Sequence, residues 1–171
     1  HGPMVGATTE STALIWLRTA AIAQVQIRAF HGAETESVAE TEIVSTSPES
    51  DYTATLKLTG LKPGTEYRYE VVIDGDPVAA EKTQFTTFPK AGAPAKFTVG
   101  FGGGAGYVPE WEYMWDTILE SKPLAFFMLG DNVYIDDPEH SLTQHYCYYR
   151  RQSQPAWRRF VATTSIYSIY D

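Results

Sequence analysis

Two aspartates close apolar runs in the same way: Asp131 follows Phe126-Phe127-Met128-Leu129-Gly130, and Asp171 follows Ser165-Ile166-Tyr167-Ser168-Ile169-Tyr170. An apolar run without polar alternation suits a parallel strand covered on both faces. Such a strand delivers its last residue to the carboxyl end of an open α/β sheet, where ligands bind. Gly130 permits the sharp turn that would aim Asp131 into the crevice. The chemistry this invites is metal-assisted hydrolysis of a phosphoester, since a carboxylate that bridges two cations about 3.5–4 Å apart can hold a nucleophilic water between them. Asp131 is the candidate bridging and catalytic residue. An aspartate that only opens a loop or caps a helix would write the same Leu-Gly-Asp string, so metal chemistry is favoured by two strand ends converging rather than by one motif.

The elements that must position these carboxylates are legible around them. Phe97-Thr98-Val99-Gly100-Phe101 reads as a strand, followed by a glycine-rich turn. Trp111, Met114, Trp115, Ile118 and Leu119 recur at the spacing of one helical face, with Pro109, Glu110 and Glu112 suited to its first turn. That aromatic stripe is expected in the core. Residues 96–131 therefore form a βαβ unit with a parallel sheet, and a helix around Pro155 to Thr163 leads into a third strand ending at Asp171. Asp136 and Asp137 precede Pro138 and suit the start of a helix. His140 and His145, five apart, fall on different helical faces and make a poor joint metal site. Arg150, Arg151, Arg158 and Arg159 could meet a phosphate but are read as surface residues.

The first half follows a different rule. Tyr52, Ala54, Leu56 and Leu58 alternate with polar neighbours, as do Tyr67, Tyr69, Val71 and Ile73, the period-two pattern of half-buried antiparallel strands. Asp74-Gly75 marks a tight hairpin from which the chain returns through Val78 toward Phe85. With the runs Ala13 to Arg18 and Ala23 to Phe30, about seven strands are expected. Leu61-Lys62-Pro63-Gly64-Thr65-Glu66-Tyr67 resembles the corner of fibronectin type III sandwiches, in which a tyrosine ties its hydroxyl to nearby backbone. Trp16 is expected in the core. Pro89-Lys90-Ala91-Gly92-Ala93-Pro94 is rich in breakers and separates the two patterns. The division is a fibronectin type III-like β-sandwich over 1–89, a linker over 90–95 and an α/β domain over 96–171. So short a linker predicts that the halves pack together.

Composition bounds the partners. A formal charge of −8 on 171 residues disfavours capture of a nucleic-acid backbone or an anionic lipid surface. No apolar run reaches the length of a membrane span. The single cysteine, Cys147, excludes an internal disulfide and a thiolate zinc cluster, and is expected as a buried inert thiol. No signal peptide is visible and the chain begins at His1, so processing or trimming is expected and export stays open.

Taken together, Gly104-Ala105-Gly106-Tyr107-Val108-Pro109, Met114-Trp115-Asp116-Thr117-Ile118, Leu129-Gly130-Asp131-Asn132-Val133-Tyr134 and Tyr149-Arg150-Arg151-Gln152-Ser153-Gln154-Pro155 resemble the alkaline phosphatase D family of metallophosphoesterases. The leading fibronectin-like sandwich fits that resemblance. It implies phosphomonoester or phosphodiester hydrolysis at a calcium and iron pair, a phosphoester small molecule or phosphate-containing polymer as partner, and a periplasmic or secreted location. By the same resemblance Asp131 would be the bridging ligand, Tyr134 an iron-binding phenolate, and Asp171 the first acidic ligand of a later motif. Two departures matter. Gly103 and Gly104 stand where the family places a Ser-Cys pair whose thiolate helps ligate iron. The family also continues with a second carboxylate and later Asn and His ligands, so the chain is expected to be a fragment, inactive alone, with an unpaired sheet edge that a second chain could complete. Two alternatives remain. Gly100-x-Gly102-x-x-Ala105 imitates a dinucleotide-binding turn, though the helix starts too late and Asp131 lies too far away. The other is a non-catalytic adhesion or polymer-binding sandwich carrying a degenerate phosphoesterase remnant.

Overall fold

The computed structural model describes residues 1–78 and 83–169. Strands β1 (Met4–Gly6), β2 (Ala13–Arg18), β3 (Gln24–His31), β4 (Ala39–Glu40), β5 (Val44–Ser45), β6 (Thr53–Leu58), β7 (Glu66–Ile73), β8 (Asp76–Pro77) and β9 (Gln84–Thr86) build the first half. Strand β10 (Val99–Gly102), helix α1 (Met114–Glu120), strand β11 (Ala125–Met128), helices α2 (Ser141–Gln152) and α3 (Pro155–Thr163), and strand β12 (Ser165–Ser168) build the second. Among the described residues the first half holds nine strands where about seven were expected; three of them, β4, β5 and β8, are two-residue pieces that pair briefly along β3 or β7.

One sheet has the order β4-β3-β7-β8, with β5 also on β3 and β9 also on β7, and is antiparallel throughout. The other runs β10-β11-β12-β1-β2-β6. In it β10, β11 and β12 are mutually parallel, β12 pairs β1 in parallel with Gly6 opposite Ile166, and β1, β2 and β6 are antiparallel. This sheet is thus continuous across both sequence segments, with β1 as the seam.

Period-two alternation lets β1 serve both sides of that sheet. Val5 joins Ile15, Leu17, Leu56 and Leu58 in the core that faces Val25, Ile27, Tyr69 and Phe85 of the other sheet. Met4, one residue earlier, packs with Ile166 against the helix-side core of Trp115, Phe126, Trp157, Phe160 and Val161. The corner expected at Tyr67 is present: the Lys62 amide donates to its hydroxyl at 2.8 Å. Asp74 and Gly75 both have positive φ, 52° and 93°, as a tight hairpin turn requires. The return from Val78 toward Phe85 runs through residues 79–82, outside the described residues.

Three expectations are corrected. Trp16 pairs with Met4 and is half-buried on the face opposite the sandwich core, because it alternates with the inward Ile15 and Leu17. Trp111 is 65% exposed: a 3₁₀ turn over Pro109–Trp111 precedes α1, which turns the ring away from the stripe that Trp115 continues inward. Strand β11 is fully covered on one face and only in part on the other, where Ala125 is buried but Phe127 is exposed. Its Phe126 and Met128 lie under the helices, whereas Phe127, Val99 and Phe101 point to the other face, with Phe101 72% exposed. Cys147 is buried and free, as expected. Among the described residues no helix is long and apolar enough to cross a membrane.

Candidate functional site

The parallel ladder of β10 and β11 ends at a pair of interlocked loops. The Leu129 amide continues the ladder to the Gly102 carbonyl at 2.8 Å. The Gly104 and Ala105 amides then reach the carbonyls of Gly130 and Asp131 at 3.3 and 3.0 Å. Gly130 turns with φ 107°, and Asp131 itself holds φ 47°, a left-handed conformation that aspartate tolerates better than most residues. Gly103 suits a close approach of the loops: a Cβ there would lie in tight contact, 3.2 Å from the Gly130 carbonyl oxygen. Of the two glycines that stand in place of a Ser-Cys pair, Gly103 thus lies close against the other backbone, while Gly104 takes a positive φ of 68°.

This geometry lifts Asp131 out of the ladder and exposes it. The Tyr134 hydroxyl donates to Asp131 Oδ2 at 2.8 Å. Gly104 and Gly106 back the same tyrosine, their hypothetical Cβ positions falling 3.7 Å from its hydroxyl and 4.0 Å from its ring. Asn132 links the loop to the end of β12, its Nδ2 donating to the Ile169 carbonyl at 3.2 Å. Its Oδ1 is buried and accepts no hydrogen bond among the described residues. Asp171, two residues beyond Ile169, lies outside the described residues. Among those described, no three His, Cys, Asp or Glu side chains cluster as a metal site. What the loop carries is oxygen: a carboxylate, a phenol that donates to it, and an amide oxygen buried without a described partner. Such donors suit hard cations, and a cation bound by the phenol would displace its proton.

Behind the glycine loop sits a buried ionic network absent from the sequence expectations. The Arg151 guanidinium pairs with Glu112 at 3.3 Å, and its Nη2 donates to the Ala105 carbonyl at 2.8 Å. The Trp115 indole donates to Glu112 Oε2 at 3.1 Å. Burial pulls the Arg151 pKa below its ordinary value, and Glu112 opposes that shift. Read as a surface residue, Arg151 instead clamps the loop carbonyl between Gly104 and Gly106. A signal was available, since it lies one helical turn after Cys147, the other buried residue of α2. Arg159 is bound to Asp116 through two hydrogen bonds of 2.9 and 2.7 Å. His140 and His145 are both exposed, as are Asp136 and Asp137.

A cleft of about 410 Å³ between β10 and α1, lined in part by Val99, Met114, Ile118 and Phe126, shares Gly103 and Gly104 with the site but not Asp131 or Tyr134. The late start of α1 means that the glycine turn does not open a helix, which removes the dinucleotide geometry.

The fold defines a class: an antiparallel sandwich sheet packed on a mixed sheet, with parallel strands and helices forming the beginning of an α/β layer. The chain belongs to the family described as a domain of unknown function, DUF7800, whose sequence profile matches residues 1–91. Its fold is similar to that of PhoD over 98% of its length, at a TM-score of 0.84 and 14% identity, and it spans 38% of that chain. Two further solved structures each overlap about half of this chain, at TM-scores too low to define a shared fold. The sensor domain of the anti-sigma factor RsgI4 from Pseudobacteroides cellulosolvens matches at TM-score 0.38 and 14% identity, over 50% of this chain and 90% of that one. The FN1–FN3 domains of chicken CNTN1 match at TM-score 0.35 and 21% identity, over 49% of this chain and 28% of that one. No curated protein matches the chain.

Proposed function

We propose that this chain is the amino-terminal part of a metal-dependent phosphoester hydrolase, with Asp131 as bridging carboxylate and Tyr134 as its neighbouring oxygen ligand. The observation that carries this is the 2.8 Å contact between the Tyr134 hydroxyl and Asp131 at the carboxyl end of a parallel strand. The fold similarity to PhoD supports it, in keeping with the alkaline phosphatase D motifs. Asp131 and Tyr134 would hold the metal, with Asp171 as a third candidate ligand. Calcium and iron are the proposed pair, although Gly103 and Gly104 supply no thiolate. Bound metals of this kind polarise a phosphoryl oxygen and lower the pKa of water. The chain's own residues orient the ligand carboxylate through Gly130, and Gly103 keeps the two loops in contact. A periplasmic or secreted location and a phosphoester small molecule or phosphate-containing polymer as substrate belong to the same proposal. So does a further polypeptide completing the sheet beside β10, where Val99 and Phe101 stand exposed.

The test is titration of the purified chain with ferric citrate and with calcium, followed by visible absorbance and proton release. A phenolate-to-iron absorption band that disappears in Tyr134→Phe, with proton release lost in Asp131→Asn, is the expected result. Absence of metal uptake by the wild-type chain would refute the hydrolase reading.

A second reading has its own observation. The family profile covers the sandwich, residues 1–91, and stops before Asp131. If the sandwich is the working part, the chain is an adhesion or polymer-binding module with a phosphoesterase remnant. Retention of the chain on a polysaccharide affinity gel, unchanged in Asp131→Asn and without metal uptake, would favour it.

A further inference from the structure

We propose that Arg150 is an oxyanion-binding residue, held open between two tyrosine rings, that anchors a tetrahedral phosphate group at the rim of the Asp131–Tyr134 site. This rests on the phosphoesterase reading for its biological sense but not for its geometry.

Two neighbouring arginines in this half are engaged by carboxylates, unlike Arg150. Arg151 is taken up by Glu112 and the Ala105 carbonyl, and Arg159 by Asp116. Arg150 makes no hydrogen bond or ion pair with any described residue, and its Nε is buried without a partner. Its guanidinium instead lies over the Tyr107 ring, 4.2 Å from the centroid, with Tyr146 at 5.3 Å. A guanidinium held by ring faces keeps its two Nη groups unspent and, with Nε buried, it is that end which can meet two oxygens of a phosphate.

The ring that carries it is itself fixed. Gln154 Nε2 donates to the Tyr107 hydroxyl at 2.7 Å, and Tyr146 sits one helical turn before Arg150 on α2. The side chain therefore loses little freedom when it binds. Tyr107 follows Gly106 directly, and Gly106 is the glycine that backs the Tyr134 ring. Arg150, Tyr107, Gly106, Tyr134 and Asp131 thus form a chain of successive neighbours, from a cation without an ionic partner to a carboxylate. On a chain of net charge −8 this local cation favours the approach of an anion.

Inorganic phosphate and dimethyl phosphate are the probes, added to the metal-free ¹⁵N-labelled chain at constant ionic strength, with sodium chloride as reference. The Arg150 Nε–H resonance and the Gly106 and Tyr107 amides should shift in a saturable way with phosphate and not with chloride. A response to both probes points to a diester-tolerant site; a response to inorganic phosphate alone restricts the site to the dianion, and either result supports anchoring. Arg150→Gln should weaken phosphate binding at least about tenfold and Arg150→Lys less. Tyr146→Leu, which keeps the charge and removes one wall, should weaken it by about threefold. Equal shifts in wild type and Arg150→Gln, or equal shifts with chloride, would overturn the proposal. Asp131→Asn should leave phosphate binding intact in the metal-free chain. Failed metal uptake with retained phosphate binding would remove the hydrolase reading and keep the anion site, and the reverse pattern would do the opposite.

Discussion

Asp51 shows how a single carboxylate on the sandwich comes to depend on the α/β half. It sits at φ 52° after a 3₁₀ turn and receives two hydrogen bonds from Arg18, at 3.0 and 2.8 Å, and a third from the Tyr149 hydroxyl of α2. Those of Arg18 first, then that of Tyr149, lower its pKa to about 2. A depressed carboxyl contributes stability that is present above its unfolded value near 4 and is lost as pH falls toward 2. The stability difference between wild type and Asp51→Asn should therefore be flat above about pH 5 and shrink between about pH 4 and pH 2, measured by urea unfolding across that range. Because the carboxyl is partly exposed, the plateau should stay under about 1 kcal/mol. Tyr67→Phe is a comparable probe of the corner: losing the Lys62 amide bond should cost about 1 kcal/mol while the ring stays buried. Asp131 and Tyr134, by contrast, are exposed, so replacing either should change metal uptake with little effect on folding.

At the scale of elements, α1 and α2 meet the glycine loop through Glu112, Trp115 and Arg151. Removing one partner of a buried ion pair leaves the other uncompensated, so Arg151→Met should destabilise the chain by about 3–5 kcal/mol. The double change Arg151→Met with Glu112→Leu should recover most of that loss, falling short by about 1 kcal/mol for the orphaned Trp115 indole. Denaturant unfolding of the three variants checks both statements. Gly100 in β10 is a packing constraint of another kind: a Cβ there would overlap the Phe126 ring. Gly100→Ala should cost about 1–3 kcal/mol through displacement of that ring from the helix-side core.

For the whole molecule, the continuous sheet ties the halves together, and other contacts reinforce it. Tyr69 donates to the Ala162 carbonyl of α3 at 2.9 Å, and Tyr167 to the Thr8 carbonyl at 2.7 Å. Such coupling predicts one cooperative transition: tryptophan fluorescence, dominated by Trp115 and Trp157 of the α/β half, should trace the same urea curve as far-ultraviolet circular dichroism. Separate midpoints would show that the seam at β1 does not couple them. The open face of Val99, Phe101 and Phe127 should make the isolated chain self-associate. Phe101→Ser should reduce light scattering at high concentration without lowering the unfolding midpoint.

Sequence alone determined the elements whose signals are local. The period-two strands, the Tyr67 corner, the hairpin at Asp74-Gly75, the helix at Pro155–Thr163 and the parallel βαβ order all follow from periodicity and turn chemistry, which act between near neighbours. Asp131 and Tyr134 were each singled out, the tyrosine only through the family resemblance; that the two side chains meet came from the fold. Tertiary structure decided what depends on distant partners: that β12 would pair β1 and fuse two patterns into one sheet, that Trp16 would face away from the sandwich core, and that Phe127 would lie uncovered. It also decided that adjacent arginines would part, Arg151 inward to Glu112 and Arg150 outward between two rings. Periodicity ranks a residue by its face, but the charge or ring that meets it there comes from another element, and only the packed fold brings the two together.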